Sequence, residues 1–291
     1  PQSALPQSAL PQSALPQSSS ATPSPSNSHQ VGKIVPKGLR SFDREDADFF
    51  LELIPGARDR NGLPDSIRFW KTKIEQRDPD QTFSVGLIYG PSGCGKSSLV
   101  KAGLLPRLES HVLSVYVEST YEETEIRLLK ALKKCLPTFP ATDDLSEMLL
   151  NIRSRGIGDG RKLLIVLDQF EQWLHAHHRH ENSQLLDALR HCDGEKVQCI
   201  VMVRDDFWMP VTEFLDELEI DLVQGQNTSS VSLFGLRHAR RVLAAFGIAY
   251  GTLPATSRTE DQEEFLEQAV KGLSQDEKVI CVRLSLFAEM F

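Results

Sequence analysis

Two periodicities of apolar residues alternate along this chain, and each switch between them marks an element. Asp43 to Ile54 places Ala47, Phe49, Phe50 and Leu53 near one helical face, with acids early in the run. Pro64 suits the first turn of a helix, and Ile67, Trp70 and Ile74 follow at spacings of three and four. Thr82 to Tyr89 then reads as a strand, and Lys96 to Leu105 as a helix stopped by Pro106. Three more strand-like runs follow, Val112 to Val117, Leu163 to Leu167 and Val197 to Val203, each separated by helical sequence. A fifth, weaker run is Val231 to Phe234. Nearly uninterrupted apolar strands alternating with helices predict an α/β fold, a parallel five-stranded sheet covered by helices on both faces. Gly235 to Phe291 has three helix-like runs and no clear strand, so it reads as a small helical subdomain able to lie over a ligand at the sheet.

Residues 1–36 carry neither periodicity. Pro-Gln-Ser-Ala-Leu occurs three times from Pro1 and then decays into Ser/Pro/Thr sequence, with no charged residue before Lys33. Regular Pro among small polar residues predicts an extended, disordered linker. The expected organisation is therefore a Pro/Ser/Gln-rich linker over 1–36, an α/β domain over 37–234 and a helical, lid-like subdomain over 235–291. Both ends read as cuts from a longer polypeptide, because the chain begins with Pro and stops inside the apolar run Val279 to Phe291.

Composition narrows the partners. The net charge is −8, which argues against nucleic acid, since phosphate backbones need a basic face. No stretch approaches the roughly 20 apolar residues of a membrane helix, and no charged region followed by an apolar run suggests a signal peptide. Five cysteines, at 94, 135, 192, 199 and 281, show no paired spacing and fit a reduced, cytoplasmic protein.

The chemistry lies where the strand Thr82 to Tyr89 ends. Gly90-Pro91-Ser92-Gly93-Cys94-Gly95-Lys96-Ser97 matches G-x-x-x-x-G-K-[ST] between a strand and a helix, the context a phosphate-binding loop requires. The glycines allow backbone N–H groups to converge on phosphate oxygens, and the following helix adds its N-terminal partial charge. Lys96 is expected to reach the β- and γ-phosphates, Ser97 to ligate Mg²⁺, and Ser98 to complete the nucleotide-binding set. A second half of the site is expected at the end of another buried strand, and Leu163 to Asp168 supplies it, with Asp168 holding Mg²⁺ through water. The strand Val112 to Val117, inserted before Asp168, suggests the additional-strand division of P-loop proteins, where a glutamate near that acid activates water. Here the next residue is Gln169 and the nearest acid is Glu171. Gln orients water but is a poor general base, so slow hydrolysis is expected. Arg204, at the end of Val197 to Val203, is expected to sense a γ-phosphate, with pairing to Asp205 or Asp206 as the alternative.

Several motifs in order carry a family resemblance. The loop Gly90 to Ser98, Leu167-Asp168-Gln169-Phe170-Glu171-Gln172, Val203-Arg204-Asp205-Asp206-Phe207 and the approach segment Gly38 to Phe42 with Asp46 to Phe50 resemble the novel STAND NTPases, signal-transduction ATPases with numerous domains. The resemblance implies an ATP-driven switch with Mg²⁺ as cofactor, often bacterial, set between effector and sensor domains of the same longer chain. Nucleotide-dependent self-association is a further expectation.

Other readings remain open at this point. A transporter ATPase needs a Leu-Ser-Gly-Gly-Gln-like signature before the acid, and none precedes Asp168. A small-molecule or nucleotide kinase would want an arginine-rich lid, which Arg237, Arg240 and Arg241 would supply. A scaffold that binds nucleotide without turning it over also fits Gln169. His175, His177, His178 and His180 cluster, but without a Cys or carboxylate at zinc spacing they read as a solvated helix end. Cys94, in the anion loop, reads as a small packing side chain ahead of a reactive thiol.

Overall fold

The computed structural model describes residues 38–140, 142–177 and 183–290. The expected linker over 1–36, and His178 and His180 of the histidine cluster, lie outside the described residues. A one-turn 3-10 segment at Arg44–Asp46 is capped by Asp43, whose carboxylate accepts the Glu45 N–H at 3.0 Å. Helices α1 (Ala47–Leu53) and α2 (Asp65–Glu75) follow, then strand β1 (Val85–Gly90). The helix leaving the glycine-rich loop begins as α3 (Lys96–Ser98), widens to π-helical turns over Leu99–Leu104, and ends in a 3-10 turn containing Pro106. Beyond it come β2 (Val112–Glu118), α4 (Thr124–Cys135), α5 (Leu145–Arg155), β3 (Lys162–Asp168), α6 (Glu171–Ala176) and α7 (Gln184–Leu189). Strand β4 (Val197–Arg204) and helix α8 (Trp208–Glu217) complete the alternation.

Five parallel strands form the main sheet in the order β2-β3-β4-β1-β5. The strand bearing the glycine-rich loop is thus separated from the strand ending in Asp168 by β4, as the additional-strand arrangement requires. The fifth strand is not the apolar run Val231 to Phe234. It is β5 (Thr228–Ser230), which pairs with β1 from Leu87 to Tyr89. Backbone ladder bonds decide this: Leu87 N–H donates to Asn227 O at 2.7 Å and Val231 N–H to Tyr89 O at 2.8 Å. Val231 and Phe234 are apolar because they pack on the core beside the sheet.

A second correction concerns the tail. It holds three helices, α9 (Leu236–Tyr250), α10 (Glu260–Leu273) and α11 (Cys281–Glu289), but also strands where none was expected. Two-residue strands β6 (Phe234–Gly235), β7 (Ser274–Gln275) and β8 (Lys278–Val279) form an antiparallel sheet in the order β6-β8-β7. Asp276 and Glu277 join β7 to β8 with φ of 50° and 59°, the backbone a tight two-residue hairpin needs.

Alternation along β3 and β4 sends side chains to two cores. Leu163, Ile165, Leu167, Cys199 and Val201 face one side, where α4, α5, α7 and α8 cover them. Leu164, Val166, Ile200 and Met202 face the other, with α1, α2 and the helix after the loop. The tail helices join this second core through Leu243, Leu266 and Leu284, and Phe246 of α9 stacks on Phe42 at 6.1 Å. The segment before α1 and the tail are therefore packed as one wall.

At the opposite end of β3, Lys162 is only 2% exposed. Its ammonium donates to Ile74 O at 2.9 Å and Gln76 O at 2.6 Å, capping the carbonyl end of α2. The carbonyls offset only part of the desolvation cost, and burial pushes the ammonium from its ordinary 10.5 down to about 8. Between those two values the unfolded chain holds a proton that the folded protein has released, so this group makes stability rise with pH across that window. We expect urea unfolding of the parent to gain roughly 1–3 kcal/mol over Lys162→Met between pH 7.5 and pH 10. Parallel pH profiles for the two proteins would show that Lys162 does not titrate there.

Candidate functional site

The loop begins where β1 can accept no side chain. Gly90 has φ of 156°, and a Cβ there would lie 2.1 Å from the carbonyl oxygen of Val231, a residue whose N–H is bonded to Tyr89 O of β1. Gly95 caps α3 in the left-handed region, φ 97°, which turns the chain into the helix. Inside this loop the Lys96 ammonium donates to the carbonyls of Gly90 at 2.7 Å and Pro91 at 3.1 Å. Cys94 is buried and burial pushes its thiol up, which makes it a packing side chain rather than a thiolate. Ser98 Oγ accepts the Phe42 N–H at 3.1 Å.

The sheet register carries the remaining groups to the same edge. Gly90 of β1 sits opposite Arg204 of β4, and Glu118 of β2 opposite Asp168 of β3. Asp168 is 2% exposed. Its Oδ2 accepts Ser97 Oγ–H at 2.6 Å and the Tyr116 hydroxyl, and its Oδ1 accepts the Gln169 N–H at 2.8 Å. Burial and the adjoining carboxylate hold the Tyr116 phenol protonated, well above its ordinary value. Tyr116 is a site residue that sequence reasoning missed. A tyrosine within an apolar strand, two residues before its end, is the signal it left.

Gln169 leaves β3 with φ of 53°, an uncommon conformation for a residue with a side chain. Phe170 then turns inward, its N–H on Met202 O at 2.9 Å, and Glu171 opens α6. Glu171 is buried, Oε2 has no hydrogen-bond partner, and burial pushes its carboxyl above the usual range. Arg204 reaches Asp206 instead, Nε to Oδ1 at 3.0 Å and Nη2 to Oδ2, with Phe207 5.7 Å below its guanidinium.

Lys96, Ser97, Asp168, Gln169, Glu171 and Arg204 line one cavity of about 1100 Å³. Gly38 to Phe42, Leu53 to Pro55, His238, Val242 and Phe246 form its apolar far end. His238 Nε2 lies 2.8 Å from Leu53 O, and burial pushes the imidazole down toward the neutral form. The roof is α11. Val282 N–H donates to Gly93 O at 3.3 Å, and a Cβ on Gly93 would strike Ile280 at 2.8 Å. For a metal, Ser97 Oγ and the Asp168 carboxylate converge as a hard oxygen pair. A Mg²⁺ ion held chiefly by phosphates and water needs no more than that from the protein. No cluster of three or more His, Cys, Asp or Glu that could hold a metal occurs among the described residues.

The sequence of residues 37–244 matches the family model Novel STAND NTPase 1. The chain belongs to this family. It is a STAND-type NTPase module on a P-loop fold, and its ligand is a nucleotide. No curated protein matches the sequence. Among solved structures it is similar to a Walker-type ATPase of Pyrococcus abyssi, with 16% identity and a TM-score of 0.54, covering 82% of this chain and 70% of that one. The Aeropyrum pernix ORC2 protein in its ADPNP–ADP complexes gives 17% identity and a TM-score of 0.56, over 81% of this chain and 63% of that one. At that identity the likeness is one of fold. The STAND module thus spans less than two thirds of the ORC2 chain's length. Among the described residues no helix is long and apolar enough to cross a membrane.

The Gly90 approach gives a direct test of the loop. Gly90→Ala must displace the Val231 carbonyl or tilt the loop, a cost on the order of 2 kcal/mol or more. We expect a lower melting temperature together with at least tenfold weaker binding of a fluorescent nucleotide. A variant as stable and as avid as the parent would show that the loop accommodates a methyl group there.

Proposed function

We propose that this module binds ATP with Mg²⁺ and acts as a slow nucleotide-driven switch within a larger multidomain protein. The observation that carries the reading is the seat of α11 on the phosphate loop, through the Val282–Gly93 bond and Ile280. A phosphate entering the loop draws Lys96 off the Gly90 and Pro91 carbonyls, two and three residues from that contact. In this reading residues 235–291 serve as the lid, and flanking effector and sensor domains, with self-association of the nucleotide-bound form, supply the output. Protein partners suit the acidic net charge of −8 better than nucleic acid.

Ser97 and Asp168 would hold the Mg²⁺ ion, whose part is to offset charge on the β- and γ-phosphates. Arg204 would leave Asp206 for the γ-phosphate. Both side chains are about half exposed, 43% and 51%, so breaking their pair costs little, about 0–1 kcal/mol. Losing one γ-phosphate contact on hydrolysis supplies on the order of 1–3 kcal/mol, a population shift of roughly five- to a hundredfold. Glu171 would orient the attacking water. Gln169, the residue directly after Asp168, orients water but is a poor general base, which keeps hydrolysis slow.

Turnover should therefore fall well below the enzyme median of about 10 s⁻¹ with ATP saturating. We expect Lys96→Ala to abolish nucleotide binding and Arg204→Ala to weaken ATP more than ADP. Paired ATP and ADP titrations with single-turnover hydrolysis decide the matter. Undiminished binding by Lys96→Ala, rapid multiple turnover, or equal loss of both affinities in Arg204→Ala would overturn the reading. Separately, Glu171→Gln should slow single-turnover hydrolysis at least tenfold while ATP affinity stays within about threefold of the parent. Unchanged hydrolysis would remove Glu171 from the reaction.

A further inference from the structure

We propose that Tyr116 is a positioning residue for Asp168, with Lys101 bracing it, so that β2 takes part in metal-dependent nucleotide binding. The proposal rests on the reading of Ser97 and Asp168 as the Mg²⁺-holding pair. The geometry is a closed ring of contacts. Ser97 and Lys101 are four residues apart, one turn along the same helix, and so point the same way. Ser97 Oγ reaches Asp168 Oδ2 at 2.6 Å, and the Tyr116 hydroxyl donates to that same oxygen from the neighbouring strand. The ring closes through Lys101, whose ammonium lies 4.6 Å from the centroid of the Tyr116 ring. Lys101 is itself held by Glu118 at 2.8 Å, two residues beyond Tyr116 on the same strand, and by Ser41 Oγ at 3.4 Å. Three elements, the loop helix, β2 and β3, thus set the rotamer of one carboxylate.

A ring that only filled space would need no hydroxyl here, and phenylalanine would serve as well. The hydroxyl meets the buried carboxylate oxygen that also contacts Ser97. Ser97 is the donor that must turn toward a metal when one binds. Tyr116 then becomes the side-chain donor that stays behind, keeping Asp168 aimed while Ser97 is withdrawn. Partners of this kind behind a metal ligand typically govern metal affinity by roughly ten- to a hundredfold.

The test uses the whole chain and a fluorescent ADP. Affinity is measured in EDTA, and MgCl₂ is then titrated into the protein–nucleotide mixture. Tyr116→Phe keeps the ring and its packing. We expect its Mg²⁺ midpoint to rise roughly tenfold while affinity in EDTA stays within about twofold. Lys101→Met, which keeps the aliphatic stem, should raise the midpoint in the same direction by a smaller factor. Asp168→Asn serves as the reference and should lose the Mg²⁺ response. An unmoved midpoint in Tyr116→Phe, alongside a lost response in Asp168→Asn, overturns the role of Tyr116 alone. Affinity falling in EDTA and in Mg²⁺ by the same factor also overturns it, since that is the mark of a packing residue. If Asp168→Asn itself responds like the parent, the metal pair is wrong and this proposal falls with it.

Discussion

A carboxylate that is 2% exposed cannot stand alone at the end of a strand, because an unpaired buried charge costs several kcal/mol. Asp168 meets this constraint by drawing donors from three directions, the Ser97 hydroxyl, the Tyr116 hydroxyl and the Gln169 amide. Each donor belongs to a different part of the fold, so the carboxyl ends of β2 and β3 and the start of the loop helix are tied at one point. The architecture behind them is what makes that point rigid. Asp168 ends a strand buried throughout its length, and β4 lies between it and β1. The glycine-rich loop and the acid are thus fixed by two strands of one sheet rather than by loops.

The far side of the cavity is built differently. Its wall draws on both ends of the described chain. Phe42 N–H binds Ser98 Oγ at 3.1 Å, and Gly38 N–H binds Glu289 Oε1 of α11 at 2.7 Å. Phe42, Phe49 and Phe246 join these segments through ring contacts of 5.4 to 6.3 Å. A displacement of α11 would be felt by the approach segment, and through Ser98 by the loop helix. Packed cores switch between discrete arrangements more readily than they deform by degrees. A tail sharing its core with the loop helix couples the two more tightly than a flexible flap would.

How much of this was legible depended on whether a feature leaves a run or a motif. Leu163 to Leu167 and Val197 to Val203 announce buried strands because both faces of the sheet are covered, and the loop announces itself because phosphate binding demands glycine at fixed spacing. The fifth strand was misplaced for the same reason in reverse. Thr228-Ser229-Ser230 carries no apolar stripe, and only its pairing with Leu87 to Tyr89 makes it a strand. The adjoining Val231 and Phe234 mimic one because they touch the second core. Strands as short as β6, β7 and β8 fall below any readable period. Partners set by register were also invisible: nothing in the order of residues says that Tyr116 of β2 meets Asp168 of β3, fifty-two positions later. Arg204 was placed correctly at the edge of the sheet, but its contact with Asp206 is a local choice of rotamer that strand position does not determine.

The left-handed conformation of Gln169 sets the course of the chain beyond Asp168. A strand continuing straight would present residue 169 beside Ser97 and Asp168. Positive φ at Gln169 instead bends the backbone, at a cost on the order of 1 kcal/mol. The bend is held by its own N–H on Asp168 Oδ1 and by Phe170 N–H on Met202 O at 2.9 Å. Phe170 then drops into the core, 5.2 Å from Trp173 and 5.0 Å from Phe214, and that burial offsets the strain. With Phe170 facing inward, the helical turn that follows returns Glu171 to the cavity side, buried and with Oε2 unpartnered. The same bend therefore brings a carboxyl to the cavity and withdraws it from solvent. Burial raises that carboxyl above its ordinary range, which strengthens it as a proton acceptor.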